Sequence, residues 1–480
     1  MSTAPILLWF RQDLRLNDNR ALSAACDTGQ PLVPVYVLDD DTPGAWQFGG
    51  ASRWWLHHSI TALAGELAKL ECPLILRRGP ALPTLQTLMA ETKAAALYCT
   101  RAYEPWARKT ETELASCGIT IKRFAGNLLF EPEALRTKSG TPFRVFTPFW
   151  KACQAAPPPK PLLPRPKTIN SPDSLPASDT IEAWQLLPTA PNWSGGLQKT
   201  WQPGEDGART KLIDFLDGPV TDYADMRDRP DRTGTSRLSP HLHFGEISPH
   251  QCWHAARAIT DTTPDATIGG QSFLRELAWR EFSNHLLFHW PNLPETPFQP
   301  KFAAMPWVDD PDSLRAWQRG QTGIPIVDAG MRELWQTGWM HNRVRMIVAS
   351  LLVKNLQLDW RSGEAWFWDT LVDADLANNS ASWQWVAGSG ADAAPYFRIF
   401  NPVLQGRKFD PEGAYVRRFV PELATMPAKH IHAPWEASDA ILSEAGVVLD
   451  KTYPQPIVDL RASRQRALSS YKTMREAHQG

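Results

Sequence analysis

The sequence predicts two domains: an α/β N-terminal domain with a Rossmann-like parallel sheet, and an all-helical C-terminal domain. Three observations lead to this fold class. Strand-like and helix-like segments alternate up to about residue 130, a proline-rich stretch occupies 154–166, and helical apolar spacing dominates from 207 onward. A chain of 480 residues is also too long for one compact core, which makes two domains the default expectation.

Five short apolar runs predict the strands of the N-terminal sheet. Helical segments lie between them, for example at 53–70 and 83–94, and such alternation is typical of a parallel sheet with helices on both faces. No glycine-rich loop follows the first strand, so we do not expect the usual Rossmann mode of dinucleotide binding. The runs are ILLWF (6–10), LVPVYVL (32–38), PLILRR (73–78), AALYC (95–99) and ITIKRF (119–124).

Composition suggests where the domains end. The segment QAAPPPKPLLPRP has six prolines in thirteen positions, and proline excludes helix, so an extended connector is expected there. We therefore predict the α/β domain at 1–130, an interdomain linker at 131–205, the helical domain at 206–460 and a polar tail at 461–480.

Bulk properties restrict the function. The net charge of −1 provides no global basic field, so a nucleic acid would have to be held by a local patch. The six cysteines are scattered without CxxC or Cys/His spacing, which predicts neither disulfides nor a metal site and favours a reducing, cytoplasmic location. The N-terminus has no basic region before its apolar run, and no apolar stretch is long enough to span a membrane.

Six ordered motifs resemble the photolyase/cryptochrome flavoproteins, over about residues 5–435. A tryptophan-rich helical core is the alternative, since eleven of the 22 tryptophans lie between 279 and 385. The resemblance implies FAD as FADH−, a second antenna chromophore on the α/β domain, and a monomer that binds UV-damaged DNA with a flipped pyrimidine dimer. The motifs are WFRQDLRLNDN (9–19), GTSRLSPHLHFGEIS (234–248), ELAWREF (276–282), GWMHNRVRM (338–346), DADLANNSASWQW (373–385) and FRIFNP (397–402).

The second motif offers hydroxyl and amide groups where a helix is predicted to begin. Such a helix start suits a phosphate, although a helix cap with a spare serine is the simpler alternative. The resemblance implies that this segment, with a tyrosine upstream, holds the pyrophosphate of FAD. The residues carried over are Tyr223, Thr235, Ser236, Leu238 and Ser239.

Spacing in ELAWREF places Glu276, Trp279 and Arg280 on one helical face. An ion pair between Glu276 and Arg280 beside a packing tryptophan would explain the pattern equally well. The resemblance assigns Arg280 to FAD and the other two residues to the DNA lesion. An extruded pyrimidine pair needs an aromatic platform and a hydrogen-bonding carboxyl partner.

The motif GWMHNRVRM distinguishes between possible substrates. Asn342 and Arg345, with Trp339, match positions near the flavin, whereas Arg343 and Met346 match positions near the substrate. Photolyases of (6-4) photoproducts are similar to WIHHLARH here, with histidines in place of Asn342 and Met346. Because (6-4) repair needs a proton donor, this chain is expected to split cyclobutane dimers. A (6-4) photolyase and a cryptochrome-type blue-light receptor are the alternatives.

The motif DADLANNSASWQW departs from relatives that resemble DGDLAANNGGWQW. Asn378 and Asn379 compete for the position that faces flavin N5. The family asparagine lies six residues after the first aspartate and four before the first tryptophan, and only Asn379 fits both counts. The resemblance also assigns Asp373 and Asp375 to the flavin, although they would serve equally as helix caps.

Tryptophan spacing implies an electron relay through Trp383, Trp360 and Trp307, with Trp385 beside the lesion. Six basic residues are candidates for a local DNA patch, although surface ion pairs explain each as well. The antenna stays open between a reduced folate and an 8-hydroxy-deazaflavin, because Ala107 and His243 both differ from the relatives that bind them. The basic candidates are Arg227, Arg229, Arg232, Arg398, Arg407 and Lys408.

Overall fold

The computed structural model describes residues 4–393 and 397–477, with no side-chain description of residue 477. These residues form two compact units that interleave along the sequence. The first comprises 1–224, 236–291 and 372–377, and the second 225–235, 292–371 and 378–480, within the described ranges. The boundaries predicted at 130 and 206 stay predictions, since they concern domains that are continuous in sequence.

The first unit contains a sheet of five parallel strands in the order β3-β2-β1-β4-β5. Four strands fall within their predicted runs and β4 extends one residue beyond its run to Thr100, while β1, β2 and β4 are buried along their whole length. This burial on both faces is typical of a parallel sheet. The strands are β1 (Ile6–Phe10), β2 (Leu32–Leu38), β3 (Ile75–Arg78), β4 (Ala96–Thr100) and β5 (Ile121–Phe124).

Helices make up most of the remaining regular structure, so the predicted fold class is confirmed. The α-helices of the first half are α1 (Arg20–Cys26), α2 (Gly50–Ala68), α3 (Ala81–Thr92), α4 (Pro105–Ser116), α5 (Phe146–Ala155), α6 (Gly195–Thr200), α7 (Glu205–Leu216), α8 (Tyr223–Met226), α9 (Ser239–His243), α10 (Pro249–Thr262) and α11 (Thr267–His289). Those of the second half are α12 (Pro311–Gln318), α13 (Pro325–Thr337), α14 (Asn342–Ser350), α15 (Trp360–Thr370), α16 (Leu376–Ala387), α17 (Pro402–Phe409), α18 (Ala414–Phe419), α19 (Asp439–Glu444) and α20 (Leu460–Ala477).

Short helices of other types connect these elements. A π-helix at Leu351–Asn355 follows α14 directly, so the chain continues to wind between Asn342 and Asn355. The 3-10 helices are Gly44–Trp46, Glu182–Trp184, Pro264–Ala266, Pro300–Ala304, Pro421–Leu423 and Pro434–Glu436. Among the described residues, no helix has both the length and the apolar character that crossing a membrane requires.

Apolar side chains form separate cores. One lies around the sheet and includes Leu7, Val35 and Leu97, whereas a second in the same unit joins α7, α10 and α11 through Phe215, Cys252 and Phe273. The second unit has a cluster of Phe302, Met305 and Met474, with Trp307, Phe397 and Tyr471 packed against it.

The segment expected to be a polar tail forms α20, and residues 478–480 lie outside the described part of the chain. Its composition is polar, but Ser463, Ala467 and Met474 are almost fully buried. Ser463 also accepts a hydrogen bond of 2.8 Å from the amide of Asn355. One buried face is therefore enough to order a helix whose overall hydropathy is low.

Candidate functional site

The segment expected to hold the pyrophosphate begins a helix as predicted, although α9 is only five residues long. Its N-cap is Leu238, whose amide donates to the hydroxyl of Ser236 over 3.5 Å. Ser239 is exposed at the helix start, and Tyr223 is buried with its ring edge against Phe215. The first unit therefore contains four of the five pyrophosphate candidates, and the fifth, Thr235, belongs to the second unit. The four are Tyr223, Ser236, Leu238 and Ser239.

His243 is buried beside one of the carboxylates expected near the flavin. Its Nδ1 lies 3.7 Å from Oδ2 of Asp375, within the first unit. Neither ring nitrogen has a hydrogen-bond partner among the described residues. Sequence reasoning used His243 only to compare antenna types and missed this contact. No local signal indicated it, since 132 residues separate the two side chains. Asp373, the other carboxylate, is buried in the same short segment.

Helix α11 carries Glu276, Trp279 and Arg280, as the spacing predicted. The Trp279 ring stacks on Phe146 with centroids 3.6 Å apart, so any further stacking partner must use the opposite face. The Arg280 guanidinium donates to the carbonyl of Asn127 over 2.8 Å and to Glu281 over 3.1 Å.

Glu281, which contacts Arg280, is itself almost fully buried. Its carboxylate accepts hydrogen bonds from the amides of Leu129 and Phe130, and burial raises its pKa to about 7 although Arg280 opposes the rise. The alternative interpretation of the sequence paired Glu276 with Arg280, whereas the structure places the adjacent Glu281 in contact with this arginine.

Helix α14 begins at Asn342 and is capped by His341, whose Nδ1 accepts from the amide of Arg343 over 3.2 Å. Asn342 is exposed and Met346 is half-buried. Arg345 donates to the carbonyl of Met340 and lies 5.8 Å from the buried ring of Trp339. The motif therefore brings the two flavin candidates Trp339 and Arg345 together.

Arg343 is held on a different side of this helix. Its guanidinium forms an ion pair of 2.6 Å with Asp228 and lies over the Phe409 ring at 4.6 Å. These contacts fix a cation within the second unit, where the sequence expected a substrate-binding residue. A fixed guanidinium suits a phosphate or a base carbonyl.

The two adjacent asparagines of α16 differ in their surroundings. Asn379 is 8% exposed, and its amide nitrogen donates to the carbonyl of Glu364 over 3.0 Å, whereas Asn378 is half-buried. Ser380 donates to the Glu364 carboxyl over 2.5 Å. Sequence reasoning missed Glu364, which belongs to α15 and lies outside every motif used for the resemblance.

The relay candidates differ in exposure. Trp383 and Trp360 are buried, whereas Trp307 is half-buried; Trp385, expected beside the lesion, is also half-buried. The Trp383 ring packs against Phe367 at 5.0 Å and against Trp317 at 6.1 Å. Its Nε1 has no hydrogen-bond partner among the described residues, so no such neighbour accepts its proton.

The basic candidates at the surface have local partners. Arg229 and Arg232 both lie near Asp231, at 2.6 and 3.5 Å, and Arg407 lies 3.3 Å from Glu436. Lys408 and Arg398 lie over the rings of Phe409 and Phe400. Surface ion pairs therefore account for several of these residues without DNA, and their role in a DNA patch stays a prediction.

Family models match much of the chain. A model described as the FAD binding domain of DNA photolyase matches residues 273–473, and a model described as DNA photolyase matches residues 6–167. A deoxyribodipyrimidine photo-lyase of Agrobacterium fabrum is 50% identical over 480 residues, covering 99% of each chain. The chain belongs to the photolyase/cryptochrome family.

Both branches of this family are similar to the chain. Cryptochrome-1 of Arabidopsis thaliana is 38% identical over 96% of this chain and 69% of its own length. A crystal structure of a class III photolyase from Agrobacterium tumefaciens has a TM-score of 0.94 at 50% identity, covering 99% of this chain and 98% of that one. A Synechocystis cryptochrome structure has a TM-score of 0.90 at 29% identity, covering 98% and 100%.

The family's FAD-binding domain is present, and the chain's buried polar groups fit such a cofactor. In the first unit, the His243 nitrogens lack protein partners beside the Asp375 carboxylate. Buried polar groups of this kind are normally satisfied, which is consistent with a polar ligand.

Proposed function

We propose that this protein is a light-dependent DNA repair enzyme, a deoxyribodipyrimidine photo-lyase that splits cyclobutane pyrimidine dimers. The observation that carries this proposal is the composition of α14, where Asn342 and Met346 stand in place of the histidines of (6-4) photolyases. Neither an amide nor a thioether is a general acid, so these two side chains suit a ring-splitting reaction that needs no proton donor.

Bound FAD, in its reduced form, supplies the electron that splits the dimer when it absorbs light. The side chains provide binding and orientation. Trp279, already covered on one face by Phe146, offers its other face to an extruded base, and Glu276 on the same helix offers a carboxyl group to the base edge. Arg343, fixed by Asp228, offers its charge to the lesion.

The residues proposed to hold FAD are those that the family resemblance assigns to the cofactor. Hydroxyl and amide groups of the α9 segment would hold the pyrophosphate, Arg280 would lie toward FAD, and Asp373 and Asp375 would hydrogen-bond the flavin and ribose. Trp339, Asn342, Arg345 and Asn379 complete the cofactor site. Trp383, Trp360 and Trp307 are proposed to return the flavin to its reduced form after oxidation.

A blue-light receptor is the second candidate, since plant and cyanobacterial cryptochromes are among the similar proteins. The residues proposed to bind the lesion argue against a receptor, because a receptor has no need of Glu276, Trp279, Arg343 and Met346 together.

An equimolar mixture of cyclobutane and (6-4) lesions, illuminated with the reduced protein, distinguishes the candidates. We expect loss of the cyclobutane lesion alone; loss of the (6-4) lesion alone, or of neither, would contradict the proposal.

The antenna stays open between a reduced folate and an 8-hydroxy-deazaflavin. His243 is a poor guide to this choice, because it is buried beside Asp375 in the part expected to hold the flavin. Releasing the chromophores of the purified protein and recording their absorption identifies the antenna, since the two compounds absorb differently.

A further inference from the structure

The last helix, α20, concentrates positive charge that the rest of the chain lacks. It carries five arginine or lysine residues and one glutamate, which gives it a charge of +4, whereas the whole chain has a net charge of −1. The other residues together therefore have a charge of −5. All five basic residues are exposed, and no acidic residue lies between Asp459 and Glu476. The five are Arg461, Arg464, Arg466, Lys472 and Arg475.

Four of these side chains lie along one side of the helix, and we call them the basic stripe. Arg461 and Lys472 are eleven residues apart, as are Arg464 and Arg475, and eleven residues make about three helical turns. Each of these two pairs is therefore aligned along the helix axis. Arg466 projects from another side, roughly 120° or more away from every member of the stripe. The basic stripe consists of Arg461, Arg464, Lys472 and Arg475.

The buried side of α20 holds the basic stripe on the second unit. Met474 is 1% exposed within an apolar cluster. Ser463 accepts a hydrogen bond of 2.8 Å from Asn355, and Ser470 accepts one of 2.8 Å from Gln357. These contacts fix the helix, so its four exposed basic residues keep their spacing.

Few groups of the protein neutralise the basic stripe. Lys472 lies 3.8 Å from Glu476, and both side chains are mainly exposed. Arg475 lies over the ring of Tyr471 at 6.0 Å. No other ion pair involves the stripe among the described residues. The basic candidates named from the sequence differ in this respect, since Arg229, for example, is already paired with an aspartate. The guanidinium groups of the stripe therefore remain available to a phosphate.

We propose that the basic stripe binds the phosphate backbone of undamaged duplex DNA, independently of sequence, as a second DNA contact besides the lesion-binding residues. Eight residues separate Arg464 from Lys472, which is a rise of about 12 Å along the helix. The major groove is also about 12 Å wide, so the two halves of the stripe can contact phosphates of both strands that border it. The choice of DNA as the polyanion rests on the proposed function.

Such a contact suits the search for a rare lesion, because binding to phosphates alone lets a protein slide along DNA. Four phosphate contacts are fewer than the roughly six to ten of strongly salt-dependent proteins, so the extruded lesion still dominates the binding of damaged DNA. An anionic membrane surface is the other polyanion to consider. A helix that binds a membrane inserts its apolar face, however, and the apolar face of α20 is already buried in the protein.

The test is the binding of the FAD-loaded full-length protein to a labelled undamaged duplex, measured by fluorescence anisotropy between about 50 and 200 mM salt. The stripe variant replaces all four basic residues with glutamine. We expect it to bind about tenfold or more weakly at the lowest salt, and the slope of log K against log salt should become less steep by about 2–4. Arg466→Gln removes a charge outside the stripe and should change the affinity less than about threefold. The stripe substitutions are Arg461→Gln, Arg464→Gln, Lys472→Gln and Arg475→Gln.

A charge-matched control removes four exposed lysines from the first unit, so its net charge changes as much as that of the stripe variant. This control should bind the duplex within about threefold of the wild type. An equal loss of affinity in both variants would mean that net charge, and not the stripe, attracts DNA. Wild-type affinity in the stripe variant would also overturn the proposal. The control substitutions are Lys138→Gln, Lys151→Gln, Lys167→Gln and Lys199→Gln.

Two further measurements separate the ligand and the proposed function. If the stripe variant loses binding to vesicles of anionic phospholipid but not to the duplex, duplex DNA is the wrong ligand. Light-driven restoration of a cyclobutane dimer in a short single-stranded oligonucleotide tests the proposed function alone. At saturating substrate the stripe variant should restore the dimer at the wild-type rate. If the wild type restores no dimer but its duplex binding depends on the stripe, the proposed function is wrong and the second DNA contact stands.

Discussion

Asn378 and Asn379 are identical neighbours whose roles the structure makes separable. Asn379 is buried and oriented by Glu364, whereas Asn378 is half-buried. We expect Asn379→Ala to shift the relative stability of the flavin redox states by roughly 1–3 kcal/mol, because a hydrogen bond to a partly charged ring is lost. Asn378→Ala is the control and should leave the flavin spectrum and potential nearly unchanged. Equal shifts, or a larger shift at 378, would mean that the motif is displaced by one residue.

The raised pKa of Glu364 predicts a pH dependence of stability. Burial raises this pKa from 4.5 to about 8, so the folded protein holds the proton more tightly than the unfolded chain. The resulting stabilisation is complete below the unfolded value and is lost as pH rises through the folded one. We expect the free energy of unfolding of the wild type to fall relative to Glu364→Gln by roughly 1–4 kcal/mol between about pH 5 and pH 8.

Chemical denaturation of both FAD-loaded proteins over this pH range measures the difference. Glu444→Gln, at an exposed glutamate, is the control and should follow the wild type throughout. A constant difference between wild type and Glu364→Gln would mean that Glu364 is already ionised at pH 5.

Individual contacts were predictable only where they are local in sequence. The shared face of Glu276, Trp279 and Arg280 follows from helical spacing, and the structure places all three on α11. The contact of His243 with Asp375 joins segments far apart in the chain, so no periodicity indicates it. The contacts of Glu364 were not predicted either, because they join α15 to the following helix and no sequence periodicity indicates them.

At the scale of elements, α15 and α16 carry two of the three proposed relay residues. Trp360 begins α15 and is fully buried, and Trp383 lies on α16 without a hydrogen-bond partner for its indole nitrogen among the described residues. An indole without an adjacent base keeps its proton on oxidation, so it passes charge onward. This property suits an interior member of a relay.

Trp360→Phe keeps an aromatic ring at the start of α15 but removes the easily oxidised indole. We expect photoreduction of oxidised FAD to slow by an order of magnitude or more, while chemically reduced protein retains repair. Time-resolved bleaching of the flavin absorption measures the first effect. Trp335→Phe, at an exposed tryptophan, is the control. An unchanged photoreduction rate in Trp360→Phe would show that electrons follow another route.

Helix α20 is the element that composition failed to predict. The strands could be predicted because β1, β2 and β4 are continuous or nearly continuous apolar runs and β3 and β5 begin with apolar residues, but α20 has few apolar residues and buries only one narrow face. Met474 is 1% exposed in the cluster with Phe302 and Met305. We expect Met474→Ala to lower the free energy of unfolding by about 2–4 kcal/mol, measured by denaturation. The adjacent exposed Thr473→Ala should change it by less than about 0.5 kcal/mol, and equal effects would mean that α20 does not pack there.

At the scale of the whole molecule, the sequence predicted the fold class, whereas the predicted domain boundaries stay predictions. The alternation of strand-like and helix-like segments predicted the parallel sheet, and the helical apolar spacing predicted the helices from residue 207 onward. The compact units nevertheless interleave, because 236–291 and 372–377 belong with the N-terminal residues. Composition along the chain indicates whether a segment prefers helix, strand or loop. It does not indicate which distant segments pack together.

The overall charge balance also has a consequence for DNA binding. Because the net charge is −1, only a few local basic side chains can attract DNA electrostatically. Several of them, such as Arg229 and Arg407, already form ion pairs with acidic residues. Binding of damaged DNA should therefore depend mainly on the extruded lesion and only modestly on salt.

Light-driven repair of a defined substrate tests the central claim most directly. The reduced, FAD-loaded protein is mixed with an oligonucleotide that carries one cyclobutane dimer, and restored pyrimidines are counted with blue light and in darkness. We expect complete restoration in light and none in darkness, with single-stranded DNA also accepted because extrusion is easier without pairing. A protein that binds FAD and photoreduces normally but leaves the dimer intact under light would contradict the account and favour the receptor.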